Sequence, residues 1–199
     1  KRTNDYHAKD IEQISSATSL RIALKHGIDV AHQLPGYETY KDSHFFTLEE
    51  FYPYLKYLIT FTPLEGLHMI EEGLDDRLYK VNQEICNLEE LINALTSKRY
   101  TRSRIQRMLI HILLHNTKEE MKKAMDIDYI HILGLSTKGQ RYIKTAKKNT
   151  EYKIITNITK HKHPALDIEK RGAQLLDLVD PGFFKETIKA IPYRKVDLK

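Results

Sequence analysis

The sequence predicts a mainly α-helical protein, in which a helical bundle is followed by a small α/β segment of the βαβ type. Helix-start signals recur in the middle of the chain: Asn87 and Thr117 are each followed two and three residues later by glutamates, an order typical of N-caps. Apolar residues behind them recur at three- and four-residue spacing, which indicates helices with one buried face. The pattern changes near residue 127, because residues 129–135 have the β-branched and aromatic content that favours strands.

Three regions follow from these patterns, and we find no internal repeat among them. Residues 1–45 are polar and contain a short helix near residues 18–26, followed by a loop. Pro35 and Gly36 predict a turn in that loop, since proline presets φ and glycine tolerates open backbone geometry. Residues 46–126 form the predicted helical bundle with its basic helix, and residues 127–199 form the small α/β segment with a C-terminal helix.

The bundle is predicted from its helix starts and its apolar faces. Thr47 and Glu50 have the capping-box arrangement, in which the threonine oxygen accepts a backbone N–H and the glutamate reaches back to the cap. Residues 51–61 are rich in aromatic side chains, which we assign to core and interface. One helix face consists of four aliphatic residues at helical spacing: Leu88, Leu91, Ile92 and Leu95.

The third region alternates between strand and helix signals. A strand over residues 129–135 is followed by a polar helix over 138–148 and a second strand over 152–156. Strand, helix and strand in this order predict two parallel strands. A helix over residues 165–178 closes the segment, Pro181 and Gly182 end it, and we expect the tail over residues 193–199 to be loose.

The composition limits the classes of protein to which this chain can belong. The 199 residues are 41% hydrophobic and 30% charged, which is typical of a globular chain and too apolar for disorder. Cys86 is the only cysteine, so one chain can form neither a disulfide nor a cysteine-based zinc site, as suits the reducing cytoplasm. No apolar run approaches the roughly 20 residues of a membrane span. The net charge of +5 favours an acidic partner only if the positive residues cluster.

A candidate phosphate site lies where the first helix should begin. Ser15, Ser16 and Thr18 place hydroxyls at a helix N-terminus, and Arg21 adds a cation one turn further on. The first N–H groups of a helix have no internal partner and carry partial positive charge, so together these groups can hold a phosphate. A plain N-cap explains the same hydroxyls, and both interpretations stay open.

A candidate nucleic-acid surface lies at the start of a later helix, which we predict to begin near Thr101. Tyr100 beside it is available for stacking on a base. The basic residues there fit either a surface that contacts the phosphate backbone of a nucleic acid or a solvated, salt-bridged face. The basic residues are Lys98, Arg99, Arg102, Arg104 and Arg107.

A second basic set follows the first predicted strand at helical spacing. Two separate basic faces favour nucleic acid more than either does alone, although a solvated face also explains the second set. Its members are Lys138, Arg141, Lys144, Lys147 and Lys148.

His111 and His115 have the four-residue spacing of a metal pair but lack the glutamate of a zincin motif, so we predict no metal site.

Several of these stretches resemble one family. Residues 15–21, Ser-Ser-Ala-Thr-Ser-Leu-Arg, are similar to the second signature of the HIGH-type nucleotidyltransferases. Residues 72–78 (Glu-Gly-Leu-Asp-Asp-Arg-Leu), the basic run over 98–107 and residues 129–148 resemble the C-terminal half of the bacterial tRNA(Met) cytidine acetate ligases. The resemblance covers most of the chain.

The resemblance implies a ligase that forms acetyl-adenylate from ATP and acetate and then acetylates N4 of the wobble cytidine of elongator tRNA(Met). Magnesium is expected to accompany the ATP. The basic helix would hold the tRNA backbone without reading the base. The ATP-binding positions would be Arg2, Thr3, Ser15, Ser16, Thr18 and Arg21.

The family's N-terminal nucleotide-binding domain, with its HIGH-like histidines, has no counterpart in the sequence. We therefore expect residues 1–45 to be the end of that domain and the catalytic residues to lie outside this chain. The chain alone is then expected to be inactive. Two alternatives stay open: a stand-alone helical RNA-binding module, and a fragment of another nucleotidyltransferase-like protein.

Overall fold

The computed structural model describes residues 15–41, 44–188 and 193–195, with a boundary between two compact units at Thr47 and Leu48. In the first unit, helix α1 (Ala17–Lys25) confirms the short helix predicted near residues 18–26. The predicted turn is also confirmed: Gly36 has φ of 78°, a left-handed conformation that glycine adopts without strain, and α2 (Tyr37–Tyr40) begins directly after it.

The second unit begins with a 3₁₀ turn (Leu48–Phe51) that leads into α3 (Tyr52–Phe61). Three further helices follow: α4 (Leu74–Glu84), α5 (Leu88–Leu95) and α6 (Arg102–Leu113). Helix α3 packs against α4 and α6, and α5 packs against α4 and α6. The predicted apolar face of α5 is confirmed, since all four of its aliphatic residues are buried. A mainly α-helical chain is therefore confirmed.

Local capping signals set the helix starts in this unit. The side chain of Asn87 accepts a hydrogen bond from the N–H of Glu90 at 2.9 Å, and Thr117 does the same for Glu120 at 3.1 Å at the start of α7 (Lys118–Ala124). Both caps were predicted from the sequence. Helix α4 begins differently, at Gly73 with φ of 78°, so a backbone turn and not a side-chain cap starts it.

The C-terminal segment contains the predicted parallel pair of strands. Strand β1 (Tyr129–His131) pairs in parallel with β3 (Lys153–Ile155), and α8 (Thr137–Ala146) lies between them in the chain. The segment predicted as one strand over 129–135 is interrupted, because β2 (Gly134–Ser136) belongs to a separate pair. The small α/β segment is thereby confirmed.

The expectation of a loose tail was wrong for residues 193–195. They form strand β4 (Tyr193–Lys195), which pairs in parallel with β2. Backbone hydrogen bonds to a strand nearly sixty residues earlier stabilise this stretch, and local composition carries no sign of such pairing. Residues 196–199 lie outside the described part of the chain.

A small core holds the C-terminal helices to this segment. Helix α9 (Pro164–Asp177) confirms the helix predicted over 165–178, and α10 (Phe183–Ile188) packs against it. Tyr129 and Ile155 pack from the β1–β3 pair onto a buried cluster of Ile158, Leu166, Ala173 and Ile188. In the described ranges, no helix combines the length and apolar character needed to cross a bilayer.

Candidate functional site

The start of α1 is a well-formed N-cap. Ser16 accepts a hydrogen bond from the N–H of Ser19 at 3.1 Å, and the two hydroxyl oxygens lie 2.9 Å apart. Both serines are buried, with 3% and 0% of their surface exposed. The N–H of Ser15 donates to Gln33 Oε1 at 2.7 Å. The cap interpretation is therefore confirmed for Ser16, whose hydroxyl serves its own helix.

The other members of the predicted phosphate site differ in accessibility. Thr18 and Arg21, one turn apart on α1, are both exposed. Any group bound at this helix start would therefore meet their hydroxyl and guanidinium donors before the buried serines. Arg2 and Thr3, which the resemblance adds to the ATP site, lie outside the described residues.

The basic residues at the start of α6 converge on Glu71, a residue that the sequence analysis did not single out. Arg99 Nη2 donates to Glu71 Oε2 at 3.1 Å, and Arg104 Nη2 donates to Oε1. The Tyr100 hydroxyl donates to Oε2 at 3.1 Å. This hydroxyl and the two guanidinium groups hold the pKa of Glu71 below its ordinary value.

The expectation that Tyr100 is available for stacking was wrong. Only 8% of the residue is exposed, and Arg99 and Arg104 lie over its ring at 5.3 and 5.0 Å from the centroid. Its ring belongs to the core that supports α6, and its hydroxyl orients Glu71. An aromatic residue beside arginines indicates stacking in a sequence, but burial removes the face on which a base would stack.

Arg102 is also engaged with a carboxylate. Its Nη1 and Nη2 donate to the two oxygens of Glu89 at 2.9 and 2.5 Å, and Nη1 also donates to Asn93 Oδ1 at 3.0 Å. Among the five predicted cations, Lys98 and Arg107 form no ion pair with any residue that the structure describes, and both are exposed. The α6 start therefore combines three paired guanidinium groups with two free positive charges.

The second basic set has a different environment. Lys138, Arg141, Lys144, Lys147 and Lys148 lie on α8 or in the turn after it, and all five are exposed. Within the described ranges, none of them pairs with a carboxylate. The positive charge of this surface is thus less compensated than that of the α6 start.

His111 takes part in a hydrogen-bonded cluster. Its ring lies edge-on to that of His68, with centroids 4.6 Å apart, and its Nδ1 lies 3.0 Å from Asn116 Nδ2. Burial lowers the pKa of His111, and His68 and Arg107 lower it further. His115 lies beyond α6 with φ of 50°, so the two histidines do not continue one helical face.

Asn116 extends this cluster to the C-terminal segment. Arg171 Nη2 donates to Asn116 Oδ1 at 2.8 Å and to Glu120 Oε2 at 2.6 Å. Arg171 comes from α9, and Asn116 and Glu120 lie at the start of α7. No local sequence pattern predicts this contact, because the residues are more than fifty positions apart.

The family comparison covers nearly the whole chain. Residues 1–189 match a family model described as HIGH Nucleotidyl Transferase. A tRNA(Met) cytidine acetate ligase of Bacillus subtilis (strain 168) is 32% identical in an alignment of 196 positions, which covers 88% of this chain and 47% of that protein. A protein of the same name from Geobacillus sp. (strain WCH70) is 35% identical in an alignment of 187 positions, which covers 85% of this chain and 47% of that protein. The chain spans about half the length of these curated relatives.

Two solved structures share the fold. Thermotoga maritima TmcAL in an apo form superposes with a TM-score of 0.78 and 19% identity, over 97% of this chain and 54% of that one. The same protein bound with alpha-thio ATP gives a TM-score of 0.73 and 21% identity, over 92% of this chain and 52% of that one. At these identities the similarity shows a common fold.

Proposed function

This chain belongs to the HIGH nucleotidyltransferase family, and from that membership we propose that it is the C-terminal, tRNA-binding portion of an ATP-dependent ligase. The ligase would form acetyl-adenylate from acetate and ATP and acetylate N4 of the wobble cytidine of elongator tRNA(Met) in the cytoplasm. The observation that carries the proposal is that relatives named tRNA(Met) cytidine acetate ligase align with 85–88% of this chain at 32–35% identity.

The ATP side of the proposal concerns the start of α1. N–H and guanidinium groups donate hydrogen bonds and cannot coordinate a metal cation, and the hydroxyls can likewise donate to phosphate oxygens. Magnesium would therefore arrive bound to the nucleotide's phosphates. Thr18 and Arg21 would contact the phosphates, Ser15 and Ser16 would shape the turn that presents the N–H groups, and Arg2 and Thr3 would complete the site. Charge that develops on pyrophosphate during adenylation would be stabilised there.

The tRNA side concerns the start of α6, and we propose that α3–α6 form a helical bundle that supports it. Glu71 pairs with Arg99 and Arg104, and Glu89 pairs with Arg102. An arginine has five N–H donors, so a carboxylate partner leaves donors for a phosphate. Lys98 and Arg107 add positive charge with which no carboxylate in the described part of the chain pairs. Such a surface would fix the orientation of the tRNA backbone and leave base recognition to other residues.

Binding of elongator tRNA(Met) to this chain is expected to weaken steeply as salt rises, because phosphate contacts release counterions. The double variant Lys98→Ala/Arg107→Ala should bind more weakly and lower the slope of log K against log salt by about 1 per residue. Fluorescence anisotropy with labelled tRNA across a salt series measures both quantities. These two residues are chosen because their removal breaks no ion pair with the described residues.

The charge-matched control is Lys80→Ala/Lys122→Ala, which removes two exposed lysines from α4 and α7. Equal losses of affinity in the two double variants would mean that only net charge matters and would refute a specific surface at α6. Absence of tRNA binding at low salt would contradict the tRNA-binding role itself.

The chain by itself is expected to show no acetylation of tRNA(Met) when it is mixed with ATP and acetate. The reason is that the family's HIGH-like histidines, which would contact the ATP phosphates during adenylation, have no counterpart in this sequence. Incorporation of radiolabelled acetate into tRNA, with a full-length relative as positive control, provides the measurement. Robust incorporation by this chain would show that its own residues complete the active site.

A stand-alone RNA-binding module is the second candidate function. It is favoured by one observation: both basic surfaces lie in the unit that starts at Leu48, whereas the α1 start lies in the other unit. Nucleotide binding distinguishes the two candidates, since a stand-alone module is expected to bind tRNA with the same affinity whether or not ATP is present.

A further inference from the structure

An apolar cleft lies between α8 and the β1–β3 pair. Its volume is about 390 Å³, which falls within the usual range of ligand-binding clefts. Its apolar lining consists of Ile130, Ile132, Tyr142, Ile143, Ala146 and Ile154. Helix α8 buries none of its residues completely, so it covers this side of the strands without filling the space beneath it.

Large apolar side chains at the cleft remain open to solvent. Tyr142 is 70% exposed and Ile130 is 45% exposed. Rings and aliphatic groups of this size gain free energy when a flat apolar partner covers them. The cleft is therefore suited to a ligand with an apolar face.

The charge beside the cleft is positive, and no carboxylate among the described residues pairs with it. Arg141 and Lys144 are separated by one helical turn, and Lys147 and Lys148 follow at the C-terminal end of α8. Thr145, which lines the cleft, lies four residues after Arg141 and next to Lys144, so these two cations lie at the edge of the cleft. A ligand with a flat apolar part in the cleft and negative charges along α8 would satisfy both features.

We propose that this cleft and the basic face of α8 form a second RNA-contacting surface, which receives unpaired nucleotides. A base would stack on Tyr142 above the aliphatic floor, and its phosphates would lie along Arg141 and Lys144. Thr145 and Asn149 line the cleft and offer hydrogen bonds to a base edge. An aromatic platform beside a basic groove is the general arrangement that binds single-stranded nucleic acid. The inference rests on the proposed tRNA-binding function and extends it to loop nucleotides.

The experiment compares two labelled RNAs of equal length, a hairpin with an unpaired loop and a blunt duplex, on the purified 199-residue chain. Tyr142→Ala is expected to weaken hairpin binding by about 5- to 150-fold, the range that corresponds to the loss of one stacked base. Duplex binding should change little, because its bases are not available to the cleft. Tyr142→Phe should retain hairpin affinity, since the ring remains.

The matched control is Tyr57→Ala, which removes a similarly exposed tyrosine (61% exposed) from α3. It should leave both affinities unchanged. The double variant Arg141→Gln/Lys144→Gln should weaken both RNAs and lower the salt slope by about 1 per residue. Circular dichroism would check that each variant is folded. We expect that they are, because all of these side chains are exposed.

The outcomes separate this inference from the tRNA-binding proposal. Hairpin binding that is unchanged in Tyr142→Ala overturns the inference and leaves the α6 surface intact. Binding of an acidic peptide that is lost in Tyr142→Ala, with RNA binding unchanged, would identify a protein-docking cleft and also overturn it. Failure of the chain to bind either RNA at low salt overturns both proposals.

Discussion

Replacing Leu109 with alanine is expected to lower the free energy of unfolding by about 2–5 kcal/mol, the range for a buried leucine whose loss leaves a cavity. Leu109 has 0% of its surface exposed, and it lies on α6, which packs between α3 and α5. Close packing on both sides limits how far the neighbours can relax into the space. Urea denaturation followed by circular dichroism measures the change, since the chain contains no tryptophan.

The neighbouring substitution Ile110→Ala is the control. Ile110 is 43% exposed on the same helix, so its truncation removes similar volume but empties less of the core. We expect a loss of about 1 kcal/mol or less. Equal losses of unfolding free energy for the two variants would mean that the buried face of α6 contributes no more to stability than its exposed face.

The second large effect is expected at Arg171. The substitution Arg171→Met removes the donor shared by Asn116 and Glu120, and only 1% of Asn116 is exposed. A buried acceptor left without a partner costs about 1–3 kcal/mol. The side chains of Arg171 and Glu120 are 33% and 24% exposed, so we expect a value below that of a fully buried ion pair. The same urea titration provides the measurement.

An exposed ion pair on α7, the helix that contains Glu120, gives the comparison. Lys123 pairs with Glu119 at 2.6 Å across one turn of α7, and their side chains are 64% and 77% exposed. Lys123→Met is expected to cost much less than Arg171→Met, because solvent screens such exposed pairs. A loss at Arg171 as small as that at Lys123 would contradict the view that Arg171 attaches α9 to α7.

The parts of the fold that were predicted correctly depend on short-range chemistry. Asn87 and Thr117 cap their helices through an N–H three residues away, and Gly36 forms a turn through its own φ. Interactions of this range lie within a few residues, so the sequence displays them directly. The parallel pairing of β1 with β3 was also predictable, because a strand–helix–strand order constrains the direction of the second strand.

The environment of the basic residues was not predictable in the same way. Arg104 and Glu71 are 33 positions apart, and Tyr100 becomes buried only because α6 packs on its neighbours. The charge of a stretch is visible in a sequence, but whether each charge is compensated depends on residues brought near by folding. The sequence therefore left the α6 and α8 surfaces with two open interpretations each.

The sequence by itself determined the helical class, the helix starts at Asn87 and Thr117, the parallel strand pair and the positions of the two basic sets, because caps, turns and periodicity act over a few residues. The tertiary structure decided which cations are compensated: Arg99, Arg102 and Arg104 meet carboxylates, whereas the α8 set meets none among the described residues. It also ordered residues 193–195 as a strand and left a cleft beside Tyr142. The physical reason is that electrostatic compensation, strand pairing and cavity shape arise between residues distant in the chain.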